Sequence, residues 1–216
     1  MKEKALVLDF GGVISKTLFE THRLTEQILG LPANSLTWYG PFDVSSDPLW
    51  ASMCNDEISE RDYYHQRVRE VASLVGEPWT EMSQFVIAAR GAEIEQIIRP
   101  EALFAINKAS EGGAKLAILS NELDLFYGAE LRSKLPFLEN FEVIVDATYS
   151  KILKPDPRAY QLCVEQLGLS FENCVFVDDQ FRNIQGATNV GMQTVHFDVR
   201  QPADSFQRAL SLLAEI

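Results

Sequence analysis

The sequence is short of cysteine, of positive charge and of long apolar runs, and each shortage removes a class of protein. Only three cysteines occur, Cys54, Cys163 and Cys174. An odd number at these spacings fits neither a zinc site nor a redox pair. They read as free, mostly buried thiols of a reducing compartment. Lysine and arginine number 19 against 31 acidic residues, for a formal net charge of −12. Such a surface repels phosphate backbones and anionic lipid, which argues against nucleic-acid and membrane partners. A small anionic ligand is still admissible where a metal, a lysine or a helix N-terminus supplies local positive potential. The first apolar run, Ala5–Leu8, ends at Asp9. It is too short for a secretory signal and far too short for a membrane span, so the expectation is a cytoplasmic protein. No repeat or low-complexity tract occurs, and nothing in the sequence specifies an oligomeric state.

What is present is an ordinary globular composition, 46% apolar and 23% charged over 216 residues. That length suits one domain, or one core with a modest insertion, hiding roughly 70% of its unfolded surface. Strand-length apolar runs occur at Ala5–Leu8, Leu116–Leu119, Val143–Val145, Val175–Val177 and Thr194–Phe197. Helical patterns fall between them, at about 100–110, 123–135, 157–167, 182–190 and 203–215. The alternation predicts an α/β fold, a Rossmann-like parallel sheet with helices on its faces. Asp156-Pro157 marks a helix start, and Gly168, Gly191 and Gly112-Gly113 mark helix ends.

Residues 14–97 differ. They hold no strand-like run and read as helices at about 17–30, 58–75 and 81–98, with a capping-box pattern from Ser59 to Asp62. Residues 32–56 read as irregular or short-helical. The expected organisation is a core of residues 1–13 and 98–216, with a helical cap of residues 14–97 inserted after the first strand. Its aromatic residues, among them Trp38, Tyr39, Phe42, Trp50, Tyr63, Tyr64 and Trp79, are expected mostly to pack the insertion's own core.

In an open parallel sheet, ligands bind beyond the carboxyl ends of the strands. The first strand ends in Asp9-Phe10-Gly11-Gly12 and the second in Ser120-Asn121. A loop after the third carries Lys154-Pro155-Asp156-Pro157, and the fourth strand ends in Asp178-Asp179, with Asn183 following. Singly, each has a plain reading as a cap, a turn or a solvated pair. Together they bring three carboxylates to one edge, where they repel one another unless a cation sits among them. Ligands that are all oxygen, with no histidine or cysteine, suit Mg²⁺. Mg²⁺ would neutralise a phosphate group, Asp9 would attack phosphorus, and water would then hydrolyse the aspartyl-phosphate. Ser120 and backbone N–H groups near Gly11, Gly12 and Asn121 would hold phosphate oxygens, with Lys154 balancing charge and keeping Asp9 ionised. The expected partner is a small phosphorylated metabolite.

These four segments resemble, in order, the four motifs of the haloacid dehalogenase-like superfamily. They are Val7-Leu8-Asp9-Phe10-Gly11-Gly12-Val13, Ile118-Leu119-Ser120-Asn121, Lys154-Pro155-Asp156-Pro157 and Val175-Phe176-Val177-Asp178-Asp179. The resemblance extends over the whole chain, since that superfamily carries a helical cap at this position. It implies Asp9 as nucleophile, and Asp9, the Gly11 carbonyl and Asp179 as direct metal ligands. Asp178 would act nearby or through water, and Asn183 would stand where the family has a supporting acid. The likeness is strongest to the subgroup with glycine in the first motif, which includes sugar-1-phosphate phosphatases and the N-terminal phosphatase type of epoxide hydrolases.

One departure matters. Most phosphatases of this superfamily carry a second aspartate two residues after the nucleophile, where this chain has Gly11. Three readings follow. Another group supplies the proton, from among Glu122, Asp43, Asp47, Asp56, Glu57 and His22; the substrate has a good leaving group; or the protein binds a ligand without hydrolysing it. A 2-haloacid dehalogenase, which attacks carbon without a metal, is the alternative from another reaction class; Gly11 and Asp178-Asp179 fit it badly.

Overall fold

A computed structural model describes residues 3–55, 57–90, 94–121, 123–128 and 131–216, with the backbone only at 60, 131 and 132. Strand β1 (Ala5–Leu8) is followed by helices α1 (His22–Ile28), α2 (Pro48–Cys54), α3 (Glu60–Val75) and α4 (Met82–Arg90). Helix α5 (Pro100–Glu111), strand β2 (Lys115–Ser120), the short helices α6 (Leu123–Tyr127) and α7 (Leu131–Lys134), and strand β3 (Val143–Asp146) come next. The chain continues through α8 (Ala147–Ser150), α9 (Pro157–Leu167), β4 (Cys174–Asp178), α10 (Phe181–Val190), β5 (Gln193–His196) and α11 (Pro202–Glu215). It divides into two compact units. One comprises residues 1–16, 98–124 and 129–216, the other residues 17–97 with 125–128. No described helix is long and apolar enough to cross a membrane.

The first unit is built on a sheet of order β3-β2-β1-β4-β5, parallel at every pairing. All four residues of β1 are buried, as a central strand covered on both faces requires. Side-chain alternation sends Ala5 and Val7, with Ala117, Leu119 and Phe176, into a core shared with α9 and α10. Leu6, Leu8, Ile118 and Val177, also buried, belong to the opposite face, and α5 and α11 pack on each other. Local chemistry starts and stops these helices as expected. Asp156 accepts from the Arg158 N–H at 2.9 Å before Pro157, and α9 and α10 end at Gly168 and Gly191 in left-handed conformation.

Three elements differ from the sequence expectation. The helix expected over 123–135 is described as α6 and α7, because Gly128, at φ +81°, stops the first. Of the helix expected over 81–98, the described residues give a helix at Met82–Arg90 and a 3-10 turn at Ile94–Ile97. Helix α8 was unanticipated: four residues are too few for a periodic pattern, and it is initiated by Asp146, whose carboxylate accepts from the Thr148 N–H at 2.8 Å.

The second unit is helical and has its own core. Phe19, Leu36, Trp38, Tyr63, Val68, Val71, Phe85 and Ala89 are buried together, with Trp50, Tyr64 and Trp79 packed against them and Phe42 left exposed. Helix α3 starts at a reciprocal capping box between Ser59 and Asp62. Asp47, fully buried, initiates α2 by accepting from the Trp50 N–H at 2.8 Å, accepts from the Tyr63 hydroxyl at 2.7 Å, and pairs with Arg67. The Arg67 guanidinium lies over Trp38 and Tyr63, 5.0 and 5.2 Å from the ring centroids. His22 is buried edge-on to Trp38 at 4.4 Å and beside Phe19 and Tyr39. Burial lowers its pKa to about 4, against the pull of Glu26 and with the help of Arg67.

Two outcomes follow for this unit. Asp47→Ala leaves Arg67 with Glu70 alone and is expected to cost roughly 3 kcal/mol, read as a lower urea midpoint. His22 has a folded pKa below the ordinary 6.5, so folding favours its neutral form. The stability this brings is present above pH 6.5 and is lost as pH falls toward about 4. A His22→Phe variant should therefore keep a flatter melting temperature than the parent chain across that interval.

Candidate active site

The sheet topology determines where side chains meet. After β3 the chain returns to the other side of β1 and adds β4 and β5, which makes the β1–β4 boundary the switch point of the sheet. Leu8 lies opposite Val177, and the Asp9 N–H donates to the Val177 carbonyl at 2.9 Å. Asp9 and Asp178 thus leave adjacent strands at the same level, and Asp179 follows. Ser120 ends β2 opposite Asp146.

Lys154 sits between the two strand-end aspartates. Its ammonium lies 2.9 Å from Asp9 Oδ1 and 2.7 Å from Asp178 Oδ2, with its side chain only 1% exposed, and 5.5 Å from the Phe176 ring centroid. Asn121 holds the Lys154 main chain in both directions: its Oδ1 accepts from the Lys154 N–H at 2.7 Å and its Nδ2 donates to the Lys154 carbonyl at 3.2 Å. Asp178 is fully buried. Its Oδ1 accepts from the Gln180 N–H at 2.8 Å, and both its oxygens accept from Asn183 Nδ2 at 3.1 Å. Asn183 is held in turn by Tyr160, whose hydroxyl donates to the Asn183 carbonyl at 2.8 Å.

Asp9 Oδ1 also accepts from the Phe10 N–H at 2.8 Å. Burial raises the Asp9 carboxyl to about 7, against the pull of Lys154, and Asp178 adds to the rise. Burial also disfavours the Lys154 ammonium, but Asp178 and Asp9 overcome it and hold that pKa above the ordinary lysine value.

The two glycines after Asp9 are unlike. Gly12 has φ +78°, and a β-carbon there would lie 2.3 Å from Asp179 Oδ2. The Asp179 carboxylate occupies the space a side chain would fill, so this position requires glycine. Gly11 has φ −67°, an ordinary value, and a β-carbon there would meet nothing within 4 Å.

The structure thus brings together Asp9, Asp178 and Asp179, whose carboxylate oxygens lie within 4.8 Å of one another, around Lys154 and Gly12. Three carboxylates against one ammonium leave two formal negative charges. An all-oxygen donor set with that surplus fits a hard divalent cation such as Mg²⁺. Four other candidates for proton transfer belong to the second unit. His22 and Asp47 belong to the helical unit's buried core, Asp43 caps an exposed turn through the Ser45 and Ser46 N–H groups, and Glu57 is exposed. Asp56 and Glu122 lie outside the described residues.

Sequence reasoning overlooked three residues near this edge. Asp146 accepts from the N–H groups of Leu123 and Asp124 at 3.2 and 2.8 Å, anchoring α6 beyond Ser120. It lies one residue past the apolar run of β3, where the rule that found the other strand-end residues would also have found it. Tyr160 lies within α9 with no local signal of its contact to Asn183. Arg99, buried between Ile98 and Pro100, donates from Nε and Nη2 to the Gly12 carbonyl at 3.3 and 3.1 Å. Its signal was an arginine set between the apolar pair Ile97-Ile98 and Pro100.

Comparison with known proteins gives the family and the fold. The chain is 33% identical over 118 residues to a phosphatase of Mycobacterium tuberculosis, covering 54% of each protein. It is 25% identical over 196 residues to the sesquiterpene phosphatase astK of Aspergillus oryzae, covering 89% of each. The chain spans about half the length, or less, of most of the curated relatives it matches. Among solved structures, the fold is shared with the L-2-haloacid dehalogenase of Xanthobacter autotrophicus, with a TM-score of 0.59 at 19% identity over 91% of this chain and 78% of that one. The family model for haloacid dehalogenase-like hydrolases matches residues 3–191. The chain belongs to that family of hydrolases.

Proposed function

We propose that this protein is a Mg²⁺-dependent phosphatase that cleaves a small phosphomonoester through an aspartyl-phosphate on Asp9. The observation that carries the reading is the excess of carboxylate around a buried ammonium at the sheet switch point. Metal-free displacement at carbon needs one carboxylate nucleophile and gains nothing from two more beside it. A phosphate site does need a cation, and the cation needs the carboxylates.

Asp9, Asp179 and the Gly11 carbonyl would hold the ion, with Asp178 supporting the site through Lys154 and Asn183. When bound, Mg²⁺ supplies charge neutralisation for the phosphate and for the carboxylate cluster. The steps belong to the chain's own residues. Asp9 Oδ1 is engaged by Lys154 and the Phe10 N–H, which leaves Oδ2 as the attacking atom. It forms a bond to phosphorus as the bond from phosphorus to the leaving oxygen breaks. Water then attacks phosphorus, phosphate departs, and the Asp9 carboxylate is restored. Burial pushes the Asp9 carboxyl up to about 7, so Lys154 works to keep the nucleophile ionised. The Ser120 hydroxyl and the backbone N–H groups of the Gly11–Gly12 turn and Asn121 would bind phosphate oxygens. Family resemblance assigns substrate selection to the helical insertion at 14–97. The three free thiols suit a cytoplasmic location.

With glycine at position 11, the leaving oxygen receives no proton from that side chain. Substrates that leave readily, such as sugar-1-phosphates, acyl phosphates and aryl phosphates, are therefore the class we assign.

Hydrolysis of 4-nitrophenyl phosphate should require Mg²⁺, stop with EDTA, and vanish in Asp9→Asn. Turnover that survives EDTA or Asp9→Asn would sink the reading, and halide release from 2-haloacids without metal would replace it. The open space at Gly11 gives a second check. Gly11→Asp restores an acid without a clash and should raise turnover of alkyl phosphates on the order of 10²-fold, the lower end of what a positioned acid contributes. An unchanged ratio of alkyl to aryl rates would show that proton donation does not limit this enzyme.

A further inference from the structure

Arg99 is buried, 2% exposed, and is the second residue of the first unit after the chain returns from the helical unit. Its backbone N–H donates to the Ile14 carbonyl at 2.9 Å, beside an antiparallel bridge between Ser15 and Ile98. Its guanidinium donates twice to the Gly12 carbonyl and lies 5.5 Å from the Phe197 ring centroid, itself packed on Phe206. A desolvated guanidinium is costly, so two donors of a planar fork that meet on the Gly12 carbonyl fix that carbonyl firmly. Because the peptide unit is planar, fixing the Gly12 carbonyl also fixes the place of the Gly12 α-carbon, which lies in the same plane. That α-carbon is where Asp179 rests, with Oδ2 2.3 Å from the position a β-carbon would take.

We propose that Arg99 is a positioning residue for the acidic site. It latches Gly12 so that Asp179 keeps its seat against the Gly12 α-carbon, and it thereby sets the affinity of the three carboxylates for a divalent cation. The proposal rests on the metal-dependent reading above. It assigns Arg99 no contact with substrate or cation.

Two alternatives make different demands. If Arg99 only stabilises the fold, its loss lowers the melting temperature and leaves cation affinity alone. If its positive charge acts mainly by repelling the cation, its loss strengthens binding. The latch requires weaker binding, and it requires the effect to pass through Asp179.

The test is calorimetric titration of the full chain with MgCl₂, without substrate, alongside thermal melts. The proteins are the parent chain, Arg99→Met, Arg99→Lys, Asp179→Asn and the Arg99→Met/Asp179→Asn double variant. Arg99→Met is expected to raise the Mg²⁺ dissociation constant about tenfold, the lower end for loss of a residue that orients a metal ligand, while melting remains cooperative. Arg99→Lys should fall between it and the parent chain, since an ammonium keeps the charge but not the fork. The double variant should bind no more weakly than Asp179→Asn alone, the non-additivity expected of residues that act in series. A folded Arg99→Met with the parent affinity, or a tighter one, overturns the proposal, as does full additivity in the double variant. Should Arg99→Met not fold, Arg99→Lys decides by the same comparison: a weaker constant upholds the latch and an unchanged one overturns it. A parent chain that binds no Mg²⁺ overturns the metal-dependent reading and the latch with it, whereas binding that is equal in parent and variant overturns the latch alone.

Discussion

The site depends on one buried ammonium. Lys154 lies within 2.9 Å of Asp9 and 2.7 Å of Asp178, on adjacent strands. Neither carboxylate could be buried at the end of a parallel strand without a counter-charge, because desolvating an unpaired ion costs several kcal/mol. The pair in turn requires Lys154 to be held in place, and Asn121 grips its main chain from both sides. Asp178 requires its remaining lone pairs to be satisfied, and Gln180 and Asn183 do so. Asp9, Asn121, Lys154 and Asp178 come from four different strand ends or loops. The sheet order is what brings Asn121 and Lys154, 33 positions apart, together.

Residues that carry charge at the ends of strands were legible in the sequence, because a strand-length apolar run followed by a polar residue marks both the strand and its functional end. Asp9, Ser120 and Asp178 were located at strand ends this way, and the helix caps at Asp156, Gly168 and Gly191 by their Asp-Pro and glycine signals. The fold class follows from the same alternation of runs and helical patterns. What was not legible is contact between residues distant in sequence. Nothing in the sequence ties Arg99 to Gly12, 87 positions away, and nothing separates Asn121 as a support for Lys154 from Asn121 as a ligand for phosphate. His22 and Asp47 show the same limit. Local sequence gives both as polar residues in a helical insertion, and only the packing of Trp38, Tyr63 and Arg67 around them makes them part of its core.

Gly11 and Gly12 stand side by side and answer to different constraints. Gly12 is forced by sterics twice over, by a left-handed φ of +78° and by the Asp179 carboxylate occupying the place of its side chain. Gly11 is forced by neither. Its backbone is ordinary and the space beside it is open. A glycine that geometry does not demand is a chemical choice, and its consequence lies in the leaving group. A site that withholds a proton there discriminates by leaving-group basicity, and the penalty falls on simple alkyl phosphates, whose oxygen departs poorly without one. On the proposed reading, the buried ammonium and its carboxylates make attack on phosphorus feasible, while the missing side chain at position 11 decides which esters are released, so the two halves of that reaction are set by residues from different loops at one end of the sheet.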